Sequence, residues 1–289
     1  MFDCILTGPG LNDKVIDSLT EELTPQQVRR RPGAVRLSGI AAAHYRTMAE
    51  RAIEMNDTAR LDVLLVPAGL STAEVGLIAF DMDGTLVVNE CIDDMARFGN
   101  RADDMAEETA RAMKGEVSFV KSLKMRVATL RGLSVTPIEE AVRAIELQPG
   151  AKILMDFCQA HGIKTAIISG GFPEFTSRVA EWLGMDYCIS NELVYDRYGT
   201  LTGEVAGPGG GKIMDADGKR RALEVLAQLN HVQLSMTISV GDGANDVEML
   251  AACGFSVAYH AKAPAKAAAK ARITHTGLDT LMLIFEEAW

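Results

Sequence analysis

Basic residues are the minority charge in this chain: 29 Lys and Arg face 39 Asp and Glu, for a formal net charge of -10. That balance argues against a nucleic-acid partner, which would need a positive surface. It also means that an anionic substrate must be met by particular lysines and arginines. Cysteine is sparse, with five residues (Cys4, Cys91, Cys158, Cys188 and Cys253) at no paired or metal-ligand spacing. They read as core thiols in a reducing cytoplasm. No apolar stretch is long enough to span a membrane. The start Met1-Phe2-Asp3-Cys4 lacks the basic segment of a secretory signal. The expected setting is cytoplasmic, with neither membrane nor nucleic acid as partner. No internal repeat stands out.

What the chain does have is a hydrophobic fraction of 48% in 289 residues, enough for one large domain or two smaller ones. The most informative segment is Phe80-Asp81-Met82-Asp83-Gly84-Thr85-Leu86, directly after the apolar run Val75-Gly76-Leu77-Ile78-Ala79. In an extended chain, residues two apart point the same way, so Asp81 and Asp83 can face one site. One can stay ionised as a nucleophile while the other carries a proton, if their surroundings push their pKa values apart. Gly84 allows a sharp turn or a close approach to a ligand. An ordinary Asp-Gly turn closing a strand would account for this segment alone.

Two further apolar runs end in the same manner. Lys164-Thr165-Ala166-Ile167-Ile168 leads into Ser169-Gly170-Gly171. Met236-Thr237-Ile238-Ser239-Val240 leads into Gly241-Asp242-Gly243-Ala244-Asn245-Asp246. Helical patterns follow both. Open parallel sheets bind ligands at the carboxyl ends of their strands. Simple strand-closing turns explain one such ending, and explain three of them poorly.

These segments resemble the haloacid dehalogenase superfamily. Asp81-Met82-Asp83-Gly84-Thr85 is similar to its first motif, and Ser169-Gly170-Gly171-Phe172 to its second, in the form of the branch acting on phosphoserine. Lys219 matches the motif lysine, and Gly241 to Asp246 the last motif. The resemblance runs from about Leu77 to near the C-terminus. It implies a doubly wound (Rossmann-like) parallel sheet with a helical cap insertion. The activity implied is Mg²⁺-dependent hydrolysis of O-phospho-L-serine to L-serine and phosphate, the last step of serine biosynthesis. Alternatives are action on another small phosphate ester, as phosphatase or phosphotransferase, or a serine-sensing protein with a decayed site. Intact Asp81, Asp83, Lys219 and Asp242 argue against decay.

Within this reading Asp81 attacks phosphorus and Asp83 acts as acid and then base. Thr85 supports the loop. Asp81, Asp242 and the backbone carbonyl of Asp83 are candidate Mg²⁺ ligands, a hard oxygen set, with Asp246 orienting them. Ser169, Gly170 and Gly171 offer a hydroxyl and N–H groups before a helix, where phosphate is favoured. Lys219 sits near the start of a helix, where an anionic ligand would relieve its conflict with the helix dipole. The resemblance implies that Arg126 pairs with the substrate carboxylate, Glu90 accepts its ammonium, Phe119 closes the pocket and Asn245 adds a hydrogen bond.

Residues 1–70 read as a small α+β domain with strands at Phe2–Leu6, Ala34–Ser38 and Leu61–Val66 and helices centred near Ile16 and Met48. An ACT-like regulatory module or a dimerisation domain fits, which leaves a homodimer open. Pro67 to Glu74 reads as a linker. Residues 71–289 form the phosphatase domain, with a helical cap at about 88–148. Every candidate catalytic residue lies at or after Asp81, so the first module is expected to be dispensable for chemistry. Gly207-Pro208-Gly209-Gly210-Gly211-Lys212 fails as a phosphate loop, because Ala206 replaces the first glycine and Ile213 follows the lysine. It reads as a flexible loop. Ala261 to Arg272 reads as a solvated surface helix.

Overall fold

The computed structural model describes residues 1–106 and 118–289. The chain opens with a four-stranded antiparallel sheet of β1 (Phe2–Thr7), β2 (Gln27–Arg31), β3 (Ala34–Ile40) and β4 (Asp62–Pro67), in the order β2-β3-β1-β4. Sequence pattern predicted three of these strands. The fourth, β2, escaped because Gln-Val-Arg-Arg-Arg carries no apolar alternation; it is a charged edge strand. Helices α1 (Asp13–Leu23) and α2 (Tyr45–Ala59) cover one face, burying Ile16, Leu19 and Met48 on Cys4, Leu6, Leu37 and Val63. The other face presents Ile5, Ala34, Leu64 and Val66, which belong to the hydrophobic cluster of the remaining chain. The first module is therefore packed on its neighbour across a whole sheet face.

The main sheet has six parallel strands: β5 (Leu77–Phe80), β6 (Lys164–Ile168), β7 (Tyr187–Ile189), β10 (Thr237–Gly241), β11 (Phe255–Tyr259) and β12 (Ala271–Ile273). Their order is β12-β11-β10-β5-β6-β7. The chain winds outward from β5 on one side, then crosses over and winds outward on the other. The strand order reverses at β5, and at such a point adjacent loops part and leave a crevice. Along β5, Leu77 and Ala79 face one cluster while Ile78 and Phe80 face the other, so both sheet faces are covered. Helices α8 (Ala216–Leu229) and α9 (Val247–Ala252) lie on one side, and α6 (Ala151–Ala160) and α7 (Pro173–Leu183) on the other.

Between β5 and β6 the chain leaves the sheet and forms α3 (Cys91–Phe98), α4 (Phe119–Thr129) and α5 (Val135–Arg143). Exit and return run side by side: Val88 N–H donates to Glu146 O at 2.8 Å, and Gln148 N–H to Leu86 O at 2.9 Å. The sequence-based cap segment, 88–148, includes residues 107–117, which lie outside the described residues. The hairpin of β8 (Glu192–Tyr195) and β9 (Leu201–Ala206) packs against α4.

Two expectations change. The glycine run at 207–212 is a hydrogen-bonded turn, in which Gly209 N–H donates to Glu192 Oε1 at 2.7 Å. The alanine- and lysine-rich stretch is helical only as α10 (Ala263–Ala268), with Ala265 buried, and ends in β12, which contains Arg272. Alternating alanine and lysine concealed the strand.

Candidate active site

Strands β10, β5 and β6 are neighbours in one register: Phe80 pairs with Val240 on one side and Ile167 on the other. The residues just beyond these positions are thereby set side by side. Asp81, Asp83, Ser169, Gly170, Gly171, Asp242 and Asn245 line one cavity of about 200 Å³. From the cap come Glu90, Ile92, Phe119, Leu123 and Arg126. Thr85, Lys219 and Asp246 stand behind this lining, all wholly buried.

Asp81 is fixed through one oxygen. Its Oδ1 accepts the N–H of Met82 at 2.7 Å and lies 2.7 Å from Lys219 Nζ. Among the described residues no donor reaches Oδ2. Burial pushes the Asp81 carboxyl well up from the usual range, Asp246 and Asp242 add to this, and Lys219 opposes it. Lys219 bridges Asp81 and Asp246, at 2.7 Å from each. Burial works to lower its pKa, but the two carboxylates outweigh burial and raise it, so the ammonium stays charged.

Asp83 differs in kind. Its Oδ2 accepts the Cys91 N–H at 3.3 Å, while its enclosed Oδ1 has no partner among the described residues. Enclosure raises this carboxyl to about 7. Both carboxyls are thus raised by burial but differ in support: an ammonium and the Met82 amide hold Asp81, while Asp83 has only the amide and thiol of Cys91. Gly84 follows at φ 71°, and a Cβ there would lie 3.0 Å from Asp242 Oδ2, so the left-handed turn and the close approach both favour glycine.

Asp81, Asp242 and Asp246 bring carboxylate oxygens within 4.8 Å of one another. Both Asp246 oxygens are engaged: Oδ1 by Lys219, and Oδ2 by the N–H groups of Asp242 and Gly243 at 3.1 and 2.9 Å. Ser169 Oγ accepts the Gly171 N–H at 2.9 Å, which braces the turn before α7. Thr85 Oγ1 is buried without a partner among the described residues. Arg126 donates from Nη2 to Asp93 Oδ1 at 2.8 Å, and its buried Nε has no described partner. Phe119 lies across the glycine turn, so that a Cβ on Gly170 would meet its ring at 3.0 Å.

Sequence reading missed two groups. Asp93, the ion-pair partner of Arg126, carried no signal of its own. Lys262 lines the cavity and places Nζ 3.1 Å from Asp242 Oδ2 and 3.6 Å from Glu90 Oε1. The structure places it there because Lys262 follows β11, a parallel strand beside β10, and so shares the ligand-binding edge.

The profile of haloacid dehalogenase-like hydrolases matches residues 78–251, which span the ends of β5, β6 and β10. This chain belongs to that family. Among its relatives, the phosphoserine phosphatase of Polaromonas sp. is 42% identical over 216 residues, covering 74% of this chain and 91% of the relative. Phosphoserine phosphatase SerB2 of Mycobacterium tuberculosis is 39% identical over 225 residues, 78% of this chain and 54% of the relative, so this chain spans about half of that protein's length. The crystal structure of a family hydrolase from Salmonella enterica serovar Typhi superposes over 100% of both chains, with a TM-score of 0.87 and 27% identity. Its match includes the N-terminal sheet.

Proposed function

We propose that this chain is a Mg²⁺-dependent phosphoserine phosphatase that hydrolyses O-phospho-L-serine to L-serine and phosphate through an aspartyl phosphate on Asp81. The observation that carries the reading is the asymmetric support of Asp81. Its Oδ1 is held by Lys219 and the Met82 amide, while Oδ2 accepts nothing from the described residues in a side chain that lines the cavity. The names of the Polaromonas and Mycobacterium relatives support the substrate.

The donor set fits Mg²⁺, a hard ion that takes oxygen ligands and keeps several waters. Asp81, Asp242 and the backbone carbonyl of Asp83 would hold it, with Asp246, engaged by Lys219 and two backbone N–H groups, orienting them. When bound, the ion supplies positive charge against a phosphate dianion among crowded carboxylates.

Asp81 Oδ2 attacks phosphorus, forming a P–O bond to the carboxylate as the bond to the seryl oxygen breaks. Asp83, with its carboxyl raised to about 7, gives its proton to the departing alkoxide. As carboxylate it then takes a proton from the water that attacks phosphorus. Phosphate leaves and Asp81 is restored. Lys219 keeps Asp81 oriented and offsets charge on the phosphoryl group. The Ser169 hydroxyl and the Gly170 N–H receive phosphoryl oxygens at the start of α7, on the turn that the Gly171 N–H braces through Ser169 Oγ. Arg126 and Glu90 read the substrate carboxylate and ammonium, Asn245 adds a hydrogen bond, and Phe119 closes the mouth.

The test is phosphate release from O-phospho-L-serine with and without Mg²⁺, for the parent chain and Asp81→Asn. Release should require Mg²⁺ and fall by about 10⁴-fold or more in the variant, since an amide cannot form the acyl phosphate. Near-normal turnover by Asp81→Asn would remove Asp81 as nucleophile.

A further inference from the structure

Two lysines meet the carboxylates of this site, and they are held very differently. Lys219 is wholly buried, fixed between Asp81 and Asp246 at 2.7 Å from each. Lys262 precedes α10, and its side chain is 65% exposed. Its Nζ nonetheless reaches into the cavity, to 3.1 Å from Asp242 Oδ2 and 3.6 Å from Glu90 Oε1. Its backbone is anchored at the same place, since the Lys262 N–H donates to Asp242 O at 2.8 Å. Only the flexible four-carbon stem separates a fixed backbone from an ion pair at the cavity mouth.

We infer that Lys262 is a displaceable counter-ion, which neutralises Asp242 and Glu90 until a metal ion and the substrate ammonium claim them. The inference rests on the Mg²⁺ reading above. Asp242 would be a ligand in that reading, and Oδ2 is the oxygen that the ammonium already occupies. A divalent cation and an ammonium repel at such separations, and the two lysines differ in their freedom to withdraw. Lys219 has no path out. Lys262 can rotate its exposed stem into water, where an ammonium is well hydrated. Release of Lys262 from Asp242 also frees Glu90 on the cap, so that metal arrival exposes the carboxylate proposed to bind the substrate ammonium. The device costs some Mg²⁺ affinity and spares the site two unpaired carboxylates.

The consequence is that removing the Lys262 charge should tighten Mg²⁺ binding, opposite to what loss of a supporting residue would do. Mg²⁺ titrations without substrate, followed by melting temperature and by calorimetry, read this directly. In Lys262→Met the half-saturating Mg²⁺ concentration should fall by about two- to fivefold, the range for a partly exposed ion pair. Lys262→Gln, which keeps a polar end, should shift the same way. Lys266→Met, one turn along α10, removes an equal charge without touching Asp242 and should leave binding unchanged. Unchanged or weaker Mg²⁺ binding in both Lys262 variants would overturn the inference, and so would an equal shift in Lys266→Met. With the parent chain still responding to Mg²⁺, those outcomes would leave the metal reading intact. A parent chain that shows no response to Mg²⁺ would overturn both.

Discussion

Arg36 and Asp3, both closed to solvent, meet at 2.7 Å where β3 and β1 pair. Arg36 also reaches Ile284 O at 3.2 Å and Glu286 at 2.9 Å, so one guanidinium ties the N-terminal sheet to the C-terminal turns. Asp3 accepts the Gly39 and Gly69 N–H groups at 2.8 and 3.1 Å. Removing one member of a buried pair leaves the other charge uncompensated, at about 3–5 kcal/mol. Arg36→Met should lower the unfolding free energy by about that amount in urea titration. A chain beginning near Ser71 keeps every candidate catalytic residue, yet it loses the face formed by Ile5, Ala34, Leu64 and Val66. It should be unstable or insoluble. A soluble, cooperatively folded and active chain from Ser71 would show that this interface is not required.

Asp83→Asn should remove leaving-group protonation and water activation together. Turnover on phosphoserine should drop by about 10²- to 10⁴-fold. An aryl phosphate has an acidic leaving group and needs less protonation, so its phosphorylation step should suffer far less. The carboxyl is raised to about 7, so its protonated fraction falls as the pH rises past that value. Single-turnover phosphorylation by phosphoserine should slow correspondingly, and Asp83→Asn should lack that limb. Equal losses for alkyl and aryl esters would count against the acid role.

Arg126→Ala and Glu90→Gln address substrate choice. Each removes a charged hydrogen-bond partner, worth about 1.5–3 kcal/mol or roughly ten- to a hundredfold. The loss should appear with phosphoserine and be small with an ester lacking both carboxylate and ammonium. Arg126 also pairs with Asp93 on α3, which supplies the rival explanation. If both substrates lose equally, the arginine joins α4 to α3 and does not read the substrate.

The motif strands and the polar groups at their ends were legible in the sequence, because parallel strands buried on both faces give apolar runs and their endings are abrupt. Asp81, Asp83, Ser169 and Asp242 stand in adjacent loops for that reason. The covering of the N-terminal sheet on both faces was not legible. Alternation along β1 puts Asp3 among apolar residues, and Arg36 does the same in β3. A charge at such a position reads as solvent-facing until its partner is known, and the partners lie 33 residues apart. Lys262 was hidden by composition. Its neighbours are alanines and lysines, and only the position of β11 beside β10 distinguishes it from Lys266.

Glu287 offers a pH test away from the cavity. Its carboxylate accepts from Ser71 Oγ at 2.6 Å, Thr72 Oγ1 at 2.9 Å and Thr72 N–H at 3.1 Å, fastening the inter-sheet segment to the C-terminus. Slight burial would raise its pKa, but these hydrogen bonds prevail and lower it to about 2. A carboxyl whose folded pKa lies below its unfolded value stabilises the fold above the unfolded pKa. That contribution is lost as the pH falls toward the folded pKa. The side chain is exposed, so screening limits its worth to about 1 kcal/mol. Glu287→Gln should therefore be less stable than the parent at pH 6, by about 1 kcal/mol or less. The gap should narrow steadily between about pH 4.5 and pH 3. Urea titrations of both proteins across that range check this. A constant gap at every pH would mean that the contribution of Glu287 does not depend on its charge.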